Sequence, residues 1–384
     1  MLLPNSLCSS GAVGRVAVTT GVALALALSA SSASATTPLS ILQAGLTQAV
    51  TDGQPGAIGL LRQGAVSQYA AAGSGILTPV TPADPTAQFR IGSNTKAFVS
   101  TVVLQLEAQG LLSINDTVDK WLPGSVNANG NDGTKITIKE LLNMTSGIPD
   151  YLSNSSVSVP YAINITYRAY SPQDLVNVAT SSQPTNAPGA AYYYSNTNYI
   201  LAGMIVQAVT GNSIAQEVQQ RIITPLGLTN TSFPTIDSNL YGNVFHGFDI
   251  SLFNGDVTVS NVQITGAAGA IVSTLSDLAT FHRALIQGSL LPPLQQQELQ
   301  TTVPTGTAGV AFGLGVIWDT ATGCAGAWAY NGEVLGYFSS IFTSADGNTQ
   351  VVNVTNGTNL GLTLTTGDQD MLNAEVAAYC AMNP

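Results

Sequence analysis

The chain has 384 residues, a formal net charge of −11 and only 8% charged residues, against about a quarter in ordinary soluble proteins. That balance argues against nucleic acid and anionic membrane as partners, because both select for Lys and Arg. The few cysteines and two histidines offer no metal-ligand cluster, so no metal and no cofactor is expected.

Arg15 is followed by an apolar run over 16–28 and then by small residues ending in Ala33-Ser34-Ala35, the A-x-A cleavage pattern of a signal peptide. The run is too short and alanine-rich to anchor the chain, so no stable membrane insertion is expected. Residues 1–35, with Cys8, are expected to be removed and the product to be secreted or periplasmic. About 350 residues remain, enough for a single domain with a sizeable core. Residues 36–384 are read as one catalytic domain, with a sheet lobe over about 36–92 and 300–384 and a helical lobe over about 93–299.

Within it, 39–50 has the pattern of an amphipathic helix stopped by Gly53, and 57–61 and 66–71 read as a hairpin around Gln63-Gly64. Residues 88–91 extend these strands into Phe89-Arg90-Ile91-Gly92-Ser93-Asn94-Thr95-Lys96, after which an apolar face with helical spacing runs to Gly110. Ser93 and Lys96 are expected on one face of the first helical turn, the S-x-x-K arrangement of a serine beside a lysine. A serine hydroxyl needs a base to take its proton, and a desolvated lysine can be that base. Of the lysines 96, 120, 135 and 139, only Lys96 has a serine three residues before it.

A short helix is expected over 138–143. Residues 153–170 are polar and weakly patterned and read as an insertion or lid. Ser171-Pro172 starts the next helix as N-cap and N1 proline. Then Pro188-Gly189 leads through Tyr192-Tyr193-Tyr194-Ser195-Asn196 into a helix ending near Gly211. Tyr-x-Asn occurs again at Tyr241-Gly242-Asn243, in a stretch that reads as a turn. His282 falls on a helical pattern over 276–287 and His246 in a Gly-rich, strand-like stretch, and both read as structural. From 309 the pattern alternates over 309–317, 326–331, 337–343 and 350–354, with Asp346-Gly347 as a hairpin turn. A helix over 369–380 closes the chain. A bridge between Cys324 and Cys380 would pin that helix to a strand, as expected in an oxidising compartment.

With these segments in order, the chain resembles the serine β-lactamase/penicillin-binding family, in its class C-like branch of D-Ala-D-Ala carboxypeptidases and related serine hydrolases. The match rests on Ser93-x-x-Lys96, Tyr194-Ser195-Asn196, the stretch from Leu142 to Pro149, Ala268-Gly269-Ala270 and Gly336-Tyr337. The resemblance implies an α/β (α+β) fold, an antiparallel sheet flanked by terminal helices with a mainly helical lobe inserted. It implies an acyl-enzyme on Ser93, with Lys96 and Tyr194 sharing proton transfer. The main-chain N–H groups of Ser93 and Glu333 would form the oxyanion hole, and Asn196 would bind the substrate's amide or carbonyl.

The third motif departs from the family. Where Lys-Thr-Gly or His-x-Gly is expected, the chain has Tyr330-Asn331-Gly332, and no Lys, Arg or His follows Arg283. The substrate-binding edge formed by Tyr330, Asn331 and Gly332 therefore has no cation of its own for a substrate carboxylate, unless Arg168 in the expected lid supplies one. The expected function is an exported serine hydrolase, D-Ala-D-Ala carboxypeptidase- or β-lactamase-like, acting on a small-molecule or peptide substrate such as a D-amino peptide, a β-lactam or an ester. Two further readings stand beside it: an esterase or amidase preferring neutral substrates, and a non-catalytic module that binds peptidoglycan-like ligands or penicillin. A secreted structural protein would leave the ordered motifs unexplained.

Overall fold

The computed structural model describes residues 37–251, 255–359 and 363–383. The expected signal peptide and Cys8 lie outside the described residues. The centre of the fold is a nine-stranded sheet in the spatial order Val80–Pro82, Val66–Leu77, Gly56–Gln63, Thr349–Thr355, Tyr337–Ser344, Ala327–Val334, Ile317–Asp319, Val310–Phe312 and Val303–Pro304. Every neighbouring pair is antiparallel. The N-terminal hairpin meets the C-terminal strands through Gly56–Gln63, with Ala57 opposite Thr355. The α/β class with an antiparallel sheet is the one expected.

One face of the sheet carries the helices Pro38–Thr51 and Thr366–Met382. Leu42, Leu46 and Ala49 from the first, and Met371, Ala378 and Tyr379 from the second, pack with Leu61, Phe338, Phe342 and Val351 of the sheet. The two helices approach so closely that a Cβ on Gly45 would lie 2.0 Å from the Ala374 Cβ. The other face packs on the helical lobe, whose innermost member is the helix Thr95–Ala108, buried through Phe98, Val99, Val102 and Val103. Phe98 stacks on Phe281 of the helix Leu275–Ile286, with ring centroids 3.5 Å apart.

Three expectations are corrected. The strand before Ser93 is only Phe89–Arg90, and it pairs with Val272–Ser273 in a separate two-stranded ladder rather than with the first hairpin. The run over 309–317 is split into Val310–Phe312 and Ile317–Asp319, because the chain turns at Gly315, whose φ is +81°. The stretch over 153–170 is not featureless: a 3-10 turn Tyr151–Ser153 leads into a helix Ser155–Ala162, capped by Asn154. Its low hydrophobic periodicity hid that helix, since only Val157 and Tyr161 are buried.

Cys324 and Cys380 form a disulfide with Cα atoms 5.5 Å apart, tying the C-terminal helix to the loop before the strand Ala327–Val334. The bridge spans 56 residues, for which the chain-entropy model gives about 4 kcal/mol. A Cys324→Ala/Cys380→Ala variant should lose stability of that order in denaturant melts, and reduction of the native protein should reproduce the loss.

Candidate active site

The site forms where the helical lobe meets the second half of the strand Ala327–Val334, past its pairing with Ile317–Asp319, which ends at Ala329. Ser93 lies on a 3-10 turn, Gly92–Asn94, and the α-helix begins only at Thr95. This corrects the expected first α-helical turn. Gly92 has φ +53°, and Asn94 sends its Nδ2 to Ile91 O (3.2 Å) and Ser339 Oγ (3.0 Å) instead of capping the helix. The turn is pressed against the strand edge. A Cβ on Gly332 would stand 1.9 Å from Ile91 O, and one on Gly92 would stand 2.8 Å from the main-chain nitrogen of Glu333. Only glycine permits that approach, which sets the backbone of Glu333 beside the serine.

Around Ser93 the expected groups converge. Lys96 Nζ is 2.8 Å from Ser93 Oγ, and Tyr194 Oη is 2.6 Å from the same atom. Lys96 is fully buried and also reaches Asn196 Oδ1 and Ala268 O, each at 2.8 Å. Both of those are carbonyl oxygens, which only accept. A neutral Lys96 amine therefore spends its two N–H groups on them, and its lone pair is left facing the Ser93 hydroxyl. Burial pulls the lysine down to about 7, against the opposing pull of the Asp150 carboxylate. Burial pushes the Tyr194 phenol up, only partly offset by its hydrogen bond to Ser93. Near neutral pH the amine, and not a phenolate, is thus the available base.

Asn196, expected to bind substrate, lines the pocket above Ser93. Its Oδ1 holds Lys96 and its Nδ2 donates to Asp150 Oδ2 at 2.9 Å, so both ends of the amide are engaged inside the protein. Asp150 was not legible as a site residue. The recognisable stretch from Leu142 to Pro149 ends one residue before it, and its partner is 46 residues away. Tyr194 and Asn196 are delivered by the loop that enters the helix Asn196–Thr210. Tyr199 on that helix bonds Ser100 Oγ and Leu142 O, both at 2.9 Å, and so fastens it to the nucleophile helix.

Above Ser93 is a pocket of about 190 Å³ whose wall includes Tyr151, Tyr161, Tyr192, Phe312, Tyr330, Asn331 and Glu333. Tyr330 packs edge-on to Phe312 at 5.9 Å, and its buried hydroxyl, near Tyr194, makes no hydrogen bond of ordinary geometry. Asn331 Oδ1 accepts from Ser340 Oγ at 3.0 Å. Burial pushes the Glu333 carboxyl up to about 8. Among the described residues no Lys, Arg or His lines this pocket. Arg168 is not part of the wall: it donates to Ser156 O and lies 4.9 Å from the Tyr170 ring. His282, pulled down to about 3 by burial, bonds Thr343 Oγ1, and His246 pairs with Asp256. Among the described residues no helix is long and apolar enough to cross a membrane, and no group of acidic, His and Cys side chains could hold a metal ion.

A sheet-edge serine held between a lysine and a tyrosine defines a serine hydrolase. The Beta-lactamase family model matches residues 44–373, and the chain belongs to that family. Its fold matches the D-stereospecific amidohydrolase from Streptomyces sp. with a TM-score of 0.81 and 35% identity, over 88% of this chain and 98% of that one. The D-amino acid amidase from Ochrobactrum anthropi SV3, in complex with D-phenylalanine, shares the fold at a TM-score of 0.77 and 22% identity, over 88% and 97%. Protein flp from Staphylococcus aureus is 37% identical over 152 residues, 39% of this chain. That alignment spans only 29% of Protein flp.

Proposed function

We propose that the protein is an exported amidohydrolase and esterase that acts through an acyl-enzyme on Ser93 and prefers substrates without a free carboxylate. Lys96 takes the Ser93 proton as Oγ attacks the carbonyl, and Tyr194 relays a proton to the leaving amine or alcohol. The N–H groups of Ser93 and Glu333 receive the oxyanion. The observation that carries the substrate preference is the pocket wall, which among the described residues has no cation. A carboxylate entering it gains no charged partner, a loss of roughly 1–3 kcal/mol. The 35% identity to a D-stereospecific amidohydrolase supports amides of D-amino acids as the substrate class. Export rests on the leader-like residues 1–35.

The test compares kcat/KM for D-phenylalanine amide, its L-enantiomer, a p-nitrophenyl ester, a D-Ala-D-Ala peptide and nitrocefin. The amide or the ester should lead, with the D-amide faster than the L-amide. A preference for the D-Ala-D-Ala peptide would restore the carboxypeptidase reading. A fluorophosphonate label that is absent from Ser93→Ala identifies the nucleophile, and a wild-type protein that neither labels nor turns over would support a binding module.

A further inference from the structure

We propose that Asp150 is a positioning residue for the nucleophile, fixing the orientation of the Asn196 amide and through it supporting Lys96 as the proton acceptor. The inference rests on the proposed role of Lys96 and goes beyond it. A carboxamide can present either its oxygen or its NH₂ to a neighbour, and the choice matters beside a lysine. Its oxygen accepts a bond from the amine, whereas its NH₂ would oppose an ammonium. An ionised carboxylate only accepts. With Asp150 Oδ2 at 2.9 Å from Nδ2, Asn196 has to turn its NH₂ toward the acid and its Oδ1 toward Lys96.

The segment carrying Asp150 is fastened to both chain neighbours of Asn196. Pro149 O accepts from Ser195 Oγ at 3.1 Å and from Thr197 Oγ1 at 2.7 Å, while Tyr151 N donates to Thr197 Oγ1 at 3.1 Å. Asp150 Oδ1 is itself held by Leu152 N at 2.9 Å, capping the 3-10 turn. Residues 149–151 and 195–197 are thus laced together side by side, which holds the acid against Asn196.

The chain of contacts also carries charge. When Lys96 takes the Ser93 proton it becomes an ammonium in a buried place, and the carboxylate behind Asn196 opposes that cost. Among the described residues the other titratable groups near the pair are the phenols of Tyr151, Tyr194 and Tyr199, all pushed up by burial and so neutral, and the Glu333 carboxyl in the same pocket, pushed up to about 8. Burial pushes the Asp150 carboxyl up, opposed by its bonds from Leu152 and Asn196 and by Lys96; in its ionised form it is the formal charge that acts on Lys96 from this side, and it holds the lysine higher than burial alone would. Lys96 must be neutral to accept a proton, so kcat/KM rises as pH increases through its titration. Removing the carboxylate moves that rise to lower pH.

The experiment is a kcat/KM profile from about pH 5 to 9 for the Asp150→Asn and Asp150→Glu variants with a p-nitrophenyl ester. Asparagine is as good an N-cap as aspartate, so the first variant keeps the turn and removes the charge. Its acid limb should lie at least about half a pH unit below that of the wild type, with the plateau about 10–100-fold lower. Asp150→Glu should keep the limb near the wild-type position. In an Asn196→Ala background the plateau loss from Asp150→Asn should largely vanish, as expected of two residues in one route. An acid limb unmoved in Asp150→Asn, or fully additive losses in the double variant, would overturn the inference while leaving the hydrolase reading standing. A wild-type profile with no acid limb would instead remove Lys96 as the base, and this inference with it.

Discussion

Lys96→Met is expected to lower kcat/KM for a p-nitrophenyl ester by about 10³–10⁴-fold, the scale associated with losing a positioned general base. Methionine fills much of the same buried volume but carries no proton acceptor of comparable strength. Its sulfur leaves Asn196 Oδ1 and Ala268 O without the donor they have in the native protein. The pH dependence makes the test specific. Because burial pulls Lys96 to about 7, wild-type kcat/KM should climb through that pH and level off above it. The residual activity of the variant should lack that step. A variant that keeps the step at full height would show that another group takes the serine proton.

Tyr194→Phe should cost about 10²–10⁴-fold in kcat/KM, for a different reason. The ring is retained and its packing is preserved, but Ser93 Oγ loses the partner 2.6 Å away. Since burial pushes this phenol up, it contributes as a neutral relay and not as the titrating base. The acid limb should therefore stay near pH 7 while the plateau falls. The loss should be larger for amides than for p-nitrophenyl esters, because an amine must be protonated to leave and p-nitrophenolate need not be. Equal losses on both would argue against a relay to the leaving group.

What the sequence disclosed follows from how local each signal is. Ser93 and Lys96 are three residues apart, so a 3-10 turn that runs into the helix at Thr95 stacks them one above the other. The sheet strands announced themselves through alternation and turn residues, and the terminal helices through their spacing. Tyr194 was found because its motif stands before a helix with a recognisable apolar pattern. The geometry of Asn196 was not foreseeable, because the same motif is compatible with an amide facing either substrate or protein. Its inward orientation is dictated by Asp150, which belongs to a different segment. The helix Ser155–Ala162 escaped notice for a related reason: two buried residues are too few to impose a period. Arg168 lies in the segment of chain from which a replacement cation would be expected. Its guanidinium instead donates to Ser156 O and rests near Tyr170.

The pairing of Gly56–Gln63 with Thr349–Thr355 also constrains when the molecule can be assembled. The third strand of the sheet, counted from its hairpin edge, has nothing to pair with on its inner side until almost all of the polypeptide has been synthesised. Such distant partners make for slow folding, and the early hairpin must wait with an open edge.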